Sequence, residues 1–291
     1  MLLATLIAAG ALSPGDVAAA SDALRTAGGE PGTAAWLDAG DACDVTVTRL
    51  SQAAARTALG MLAGIDVVVQ PAAGLRRKRL LIADMDSTMI SCECIDELAD
   101  YAGLKPQVAA ITEAAMRGEL DFAAALDARV ALLAGMDARV IDRCRAERVR
   151  LMPGARELVA TMVQSGARTI LVSGGFTAFA GPVGAELGFD RIVANRLLVE
   201  EGKLTGTVSR PIVDAATKRG ELDGAGVTLE ETLAVGDGAN DIPMLERAGI
   251  GIAYHAKPRA AAAADAAIRT GDLTALLWAQ GYPRAQWVTS A

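Results

Sequence analysis

The sequence predicts an α/β chain: a doubly wound parallel sheet with a helical cap inserted into it, preceded by a small α+β module. Three observations carry that expectation. From Arg79 onward, short apolar runs alternate with helix-like segments, as strands and crossover helices do in a parallel sheet. One stretch, about 92–149, is helical only and interrupts the alternation. Residues 1–75 follow a quicker strand–helix rhythm of their own. Composition agrees: 52% of the 291 residues are hydrophobic but only 3% aromatic, so the core is mostly Ala, Leu and Val.

Taken in order, "MLLATLIAAGALSPGD" has the apolar run of a secretory leader but no Lys or Arg before Arg25, so a first strand is expected instead. The helical "PGDVAAASDALRTAGG", the alternating "CDVTVTRL", the helical "SQAAARTALGMLAG" and "IDVVVQPA" complete a β-α-β-α-β succession. This module resembles a ferredoxin-like or ACT-like domain, and the basic "GLRRKRL" reads as its linker to a second domain over 76–291. Five strands are then expected at "LLIAD", "RTILVSGG", "RIVANRL", "TLAVGD" and "IGIAY". "PGARELVATMVQSG" reads as a helical segment, with Pro153-Gly154 as the turn that admits it and Gly166 as its C-terminal stop. "DIPMLERAG" reads as another helix, and so does the Ala-rich "RAAAAADAAI".

The chemistry lies where strands end. In open parallel sheets the ligand crevice sits beyond the carboxyl ends of the strands. Three expected strands finish there in polar groups: Asp84-Met85-Asp86-Ser87-Thr88, Ser173-Gly174-Gly175, and Asp237-Gly238-Ala239-Asn240-Asp241. Hard oxygen ligands without His or thiolate suit Mg²⁺, with Asp84 and Asp237 as carboxylates and the Asp86 carbonyl available. A carboxylate can also attack phosphorus once a cation relieves the repulsion between two anions. A second carboxyl, kept protonated, can then serve the leaving alkoxide and later the water. Asp84 as nucleophile and Asp86 as acid/base fit those roles. Each feature alone has a plainer explanation, as turn, helix cap or solvated lysine. Their occurrence together, each after a strand, does not.

In combination, "DMDST", "SGGF", a later lysine and "GDGANDIPML" resemble the four motifs of the haloacid-dehalogenase-like phosphatases. The longer runs "ADMDSTMISCECIDELA" and "ITEAAMRGELDFAAALDARVALLAG" resemble the phosphoserine-hydrolysing branch of that family, over about 79–282. The resemblance implies Mg²⁺ held by Asp84, the Asp86 carbonyl and Asp237, with Asp241 orienting the metal's waters and Asn240 beside it. It implies that Ser173, Gly174 and Lys218 hold the phosphoryl group, that Glu93 meets the substrate amine, and that Arg129 meets its carboxylate. Met116 and Phe122 are implied as apolar closures over the substrate. Without that match, Arg129 reads as a helix-surface residue paired with an acid such as Asp127, and Glu93 as a first-turn helix acid. The flanking Cys92 and Cys94 depart from expectation and introduce oxidisable thiols beside Glu93.

The implied activity is hydrolysis of O-phospho-L-serine, the last step of serine biosynthesis, in the cytoplasm. Another small phosphomonoesterase, a phosphotransferase, or an amino-acid sensor with a vestigial phosphatase half are the rival outcomes. A net charge of -7 argues against nucleic acid or an anionic membrane as partner, leaving a small-molecule substrate and room for a homo-oligomer.

Overall fold

The computed structural model describes residues 1–116 and 119–289, the side chain of Met116 excepted. The chain opens with β1 (Leu2–Ile7), α1 (Pro14–Thr26), β2 (Glu30–Asp38), β3 (Ala42–Thr48), α2 (Gln52–Leu59) and β4 (Asp66–Pro71). These strands form an antiparallel sheet in the order β2-β3-β1-β4. The succession is therefore β-α-β-β-α-β, the ferredoxin-like pattern. The expected β-α-β-α-β missed β2, and the reason is visible in its composition. "EPGTAAWLD" carries Pro31 and Gly32 and buries none of its residues fully, as befits an edge strand with little apolar alternation.

The second sheet has six parallel strands in the order β12-β11-β10-β5-β6-β7. They are β5 (Leu80–Ala83), β6 (Arg168–Phe176), β7 (Arg191–Asn195), β10 (Thr232–Gly236), β11 (Ile250–Tyr254) and β12 (Ala266–Ile268). Leu80, Leu81, Ile82 and Ala83 of β5 are all fully buried, as a central strand covered on both faces requires. Of the helices between β5 and β6, the first four are α3 (Cys94–Tyr101), α4 (Lys105–Met116), α5 (Phe122–Ala131) and α6 (Arg139–Arg148). They are the helix-only stretch that the sequence sets apart. Helices α7 (Ala155–Gln164), α8 (Thr177–Leu187), α9 (Ala215–Asp223), α10 (Ile242–Arg247), α11 (Pro258–Ala263) and α12 (Ala275–Ala279) complete the chain. Gly154 takes φ 79° ahead of α7, with its backbone against Thr274, where a β-carbon would lie 2.6 Å from the Thr274 nitrogen.

Two elements differ from expectation. The Ala-rich segment is not one helix: α11 ends at Ala263, and Ala266–Ile268 turn extended as edge strand β12, paired in parallel with β11. A hairpin of β8 (Leu197–Glu200) and β9 (Lys203–Val208) follows β7 and projects beside the cap, with Asp137 bridging to Lys203. Among the described residues no helix is long and apolar enough to cross a membrane.

Candidate active site

Strand β5 lies between β10 and β6, so the tails of these three strands emerge side by side at one edge of the sheet. Asp84 follows β5, with its N–H donating to Val235 of β10 at 3.0 Å. Asp237 follows β10, and Ser173 lies near the end of β6. From α9, the fully buried Lys218 places Nζ 2.7 Å from Asp84 Oδ1 and 2.7 Å from Asp241 Oδ1. Asp241 Oδ2 accepts the N–H of Asp237 at 3.1 Å and of Gly238 at 2.9 Å. Gly236 must lack a side chain here, since a β-carbon would stand 2.4 Å from Asp241 Cγ.

The charge balance of this cluster is unfavourable as it stands. Burial, then repulsion from Asp241, pushes the Asp84 carboxyl up to about 8 despite Lys218. Burial and the same neighbour push Asp237 up to about 6. Burial works against the Lys218 ammonium, but Asp241 and Asp84 outweigh it and hold Lys218 above the ordinary lysine range. Three carboxylates thus share one buried ammonium. Oxygens of Asp84, Asp237 and Asp241 all lie within 4.8 Å of one another, an all-oxygen donor set that fits a small, hard divalent cation. Asp241 already has both oxygens engaged, which leaves Asp84 and Asp237 the freer ligands.

Beyond β5 the chain turns sharply, with Ser87 at φ 55°. Asp86 is half-buried beside this turn, and its buried Oδ1 has no hydrogen-bond partner among the described residues. Burial, then the Glu93 charge, raises its carboxyl well above the usual range, against a hydrogen bond from the Cys94 thiol. A β-carbon at Gly175 would come within 2.8 Å of Asp86 Oδ2, so that glycine lets the carboxyl approach the Ser173 loop. Gly175 N–H donates to Ser173 Oγ at 2.9 Å.

Glu93 sits at the N-cap of α3 yet makes no capping bond; it accepts from Ser87 Oγ at 2.8 Å instead. Arg129 does not pair with Asp127, which binds Arg210. Burial lowers the Arg129 guanidinium, while the charges of Asp96, Glu93 and Asp86 pull it the other way. The Phe122 ring overhangs the Ser173 loop, with Cζ 3.1 Å from where a Gly174 β-carbon would be. Asn240 is half-buried against Gly238. The Met116 side chain lies outside the described residues.

Two neighbours escaped the sequence. Asn195 ends β7, is 2% exposed, and donates to the Gly174 carbonyl at 2.8 Å. Lys257 Nζ stands 3.8 Å from Asp237 Oδ2, and its N–H donates to the Asp237 carbonyl at 3.0 Å. Lys257 follows the expected strand "IGIAY", where the same strand-end rule could have found it, whereas Asn195 lies inside the expected "RIVANRL", where that rule does not look.

Residues 81–246 match the family described as haloacid dehalogenase-like hydrolase, and residues 222–278 match a second of the same description. The chain belongs to the haloacid dehalogenase-like hydrolases. Among relatives of this hydrolase, a phosphoserine phosphatase of Streptomyces coelicolor is 48% identical over 238 residues, which cover 79% of this chain and 58% of that one. The chain thus spans little more than half of that relative's length. A probable phosphoserine phosphatase from Vibrio cholerae, solved unliganded, superposes with a TM-score of 0.79 at 33% identity, covering 98% of this chain and 88% of that one. A phospho-aspartyl intermediate analogue of a phosphoserine phosphatase superposes with a TM-score of 0.65 at 38% identity, covering 69% of this hydrolase and 98% of that chain.

Proposed function

We propose that this hydrolase cleaves O-phospho-L-serine to L-serine and phosphate with Mg²⁺ as its cofactor, the last step of serine biosynthesis. The observation that carries the proposal is the buried meeting of Asp84, Lys218, Asp237 and Asp241 at the strand ends, with Glu93 and Arg129 of the cap nearby. Relatives described as phosphoserine phosphatases support the choice of ester.

The ion would be held by Asp84, Asp237 and the Asp86 carbonyl, where its charge lowers the repulsion between Asp84 and an incoming phosphate. An Asp84 carboxylate oxygen attacks phosphorus, and the bond from phosphorus to the serine oxygen breaks. Asp86, held protonated by burial, gives its proton to the departing alkoxide. It then takes a proton from a water whose oxygen attacks the phosphoryl group and frees Asp84. Ser173, the Gly174 N–H and Lys218 hold the phosphoryl oxygens through both halves. Glu93 takes the ammonium and Arg129 the carboxylate of the substrate, with Phe122 and Met116 closing over it. Asp241 keeps Lys218 and the Asp237 loop in place, and Asn240 contributes to the same rim.

Asp84→Asn tests the chemistry, because an amide cannot form the acyl phosphate. Turnover is expected to vanish with the fold retained. Rapid acid quench of the parent chain with labelled phosphoserine should trap phosphate on Asp84. Label on a serine, or full activity in the variant, sinks the mechanism.

A further inference from the structure

Strand β6 pairs regularly with β7 up to Ser173, and the ladder is then irregular until Phe176 meets Asn195. The Ser173-Gly174-Gly175 turn thus leaves the ladder at the point where the Asn195 side chain takes over. Asn195 Nδ2 donates to the Gly174 carbonyl at 2.8 Å and also reaches the Val213 carbonyl at 3.4 Å. Its Oδ1 accepts the Val213 N–H at 2.7 Å. Both ends of the carboxamide are therefore used, and they bridge two elements of different origin. Gly174 belongs to the irregular last stretch of β6. Val213 immediately precedes Asp214, the N-cap of α9, whose carbonyl accepts the Lys218 N–H at 3.0 Å.

The consequence reaches the hydroxyl of Ser173. The Gly174–Gly175 peptide is held on its carbonyl side by Asn195 and gives its N–H to Ser173 Oγ. With that N–H filling an acceptor position, the Ser173 O–H is left to donate. We infer that Asn195 is a positioning residue: it fixes the Ser173–Gly174 turn and the entry to α9 relative to one another, so that the turn's donors and Lys218 converge on one phosphoryl group. A carboxamide is required, because the site presents two carbonyls and one N–H to the same buried side chain. The inference rests on the proposal that Ser173, Gly174 and Lys218 hold the phosphoryl group.

Two variants separate placement from mere stability. Asn195→Asp is nearly isosteric and keeps an acceptor for Val213 N–H but loses the donor to Gly174. Asn195→Ala loses both. Each is assayed with Mg²⁺ on phosphoserine, phosphoethanolamine and p-nitrophenyl phosphate, well below its Tm. Inorganic phosphate is tested separately as an inhibitor and as a stabiliser of Tm. Misplacing the turn by about an ångström is expected to lower kcat/KM about 100-fold. The loss should be the same for all three esters, since they share only the phosphoryl group, and phosphate should bind more weakly.

Should Asn195→Ala fail to fold, Asn195→Asp carries the comparison. Parent-like kcat/KM and phosphate binding in a folded Asn195→Asp, whatever its Tm, overturns the inference. A loss confined to phosphoserine overturns it too, by assigning Asn195 to the amino-acid end. A parent chain active on p-nitrophenyl phosphate but not on phosphoserine defeats the substrate proposal alone, and Asn195 is then judged on the artificial ester. A parent chain that cleaves no ester and is not stabilised by phosphate defeats both.

Discussion

Asp84 and Asp237 are held protonated to unusual pH, about 8 and about 6, by burial and by the Asp241 charge. Both values lie above those of an unfolded chain, so the folded protein keeps protons that the unfolded one has released. Their stabilising contribution is present at low pH and is lost as pH rises through the two raised values. In the cation-free protein, Tm should therefore fall between about pH 5 and about pH 8. Mg²⁺ competes with the same protons, so the rise in Tm that it brings should grow over that range. Asp237→Asn should flatten both trends, and a Mg²⁺ effect independent of pH would remove the cation from this cluster. A second prediction at this scale concerns Arg129, whose charged neighbours are Asp96, Glu93 and Asp86 rather than Asp127. Arg129→Ala should lose roughly 2–4 kcal/mol in kcat/KM for phosphoserine, because the substrate carboxylate would lack a charged partner. Phosphoethanolamine has no carboxylate and should be affected little. Equal losses on both esters would mean that Arg129 supports the cap or the phosphoryl group.

Elements are where close approach matters most. Strand β11 passes so near α10 that a β-carbon at Gly251 would sit 2.1 Å from the Leu245 carbonyl oxygen, which is backbone and cannot swing away. Gly251→Ala should cost about 3 kcal/mol or more, read as a lower denaturation midpoint. An unchanged midpoint would show that α10 can move off the sheet freely. Central strands such as β5 and β10 were legible because burial on both faces writes them as unbroken apolar runs. Edges were not. Strand β2 is mostly exposed, and β12 is Ala-Ala-Ile, which local propensity assigns to a helix until pairing with β11 decides otherwise. The hairpin β8–β9 hid in the same way, since "LLVE" and "KLTGTV" are short and partly exposed. Within the site, carboxylates after buried strands stood out because their cost demands a purpose. Asn195 did not, because it reads as one more residue of the expected strand "RIVANRL" and only its two partners, 21 and 18 residues away, reveal its work.

Across the whole molecule, the stretch that links β4 to β5 is itself held between the first sheet and α12. Arg76 pairs with Asp44 of β3 at 2.7 and 2.8 Å and also donates to Thr5 and to the Trp278 and Ala279 carbonyls. Asp66 of β4 accepts the N–H groups of Arg269, Thr270 and Gly271, and Asp38 binds both Trp278 Nε1 and the Arg284 N–H. Ile7, Ala42 and Val68 belong to the same buried cluster as Trp278 and Tyr282. None of the proposed site residues lies before Asp84. A chain beginning at Arg76 should therefore retain phosphoserine turnover per folded molecule, while losing much of its stability. It leaves Arg76 without its carboxylate, three peptide N–H groups without Asp66, and Trp278 of α12 without its apolar neighbours from the first sheet. With several such losses at roughly 1 kcal/mol each, beyond the apolar contact itself, Tm should drop by roughly 10 °C or more. A truncated chain with the parent's Tm would show that the first sheet is an independent unit merely resting on the second. A truncated chain that folds and binds Mg²⁺ yet turns over nothing would show that the first 75 residues shape the active site from a distance.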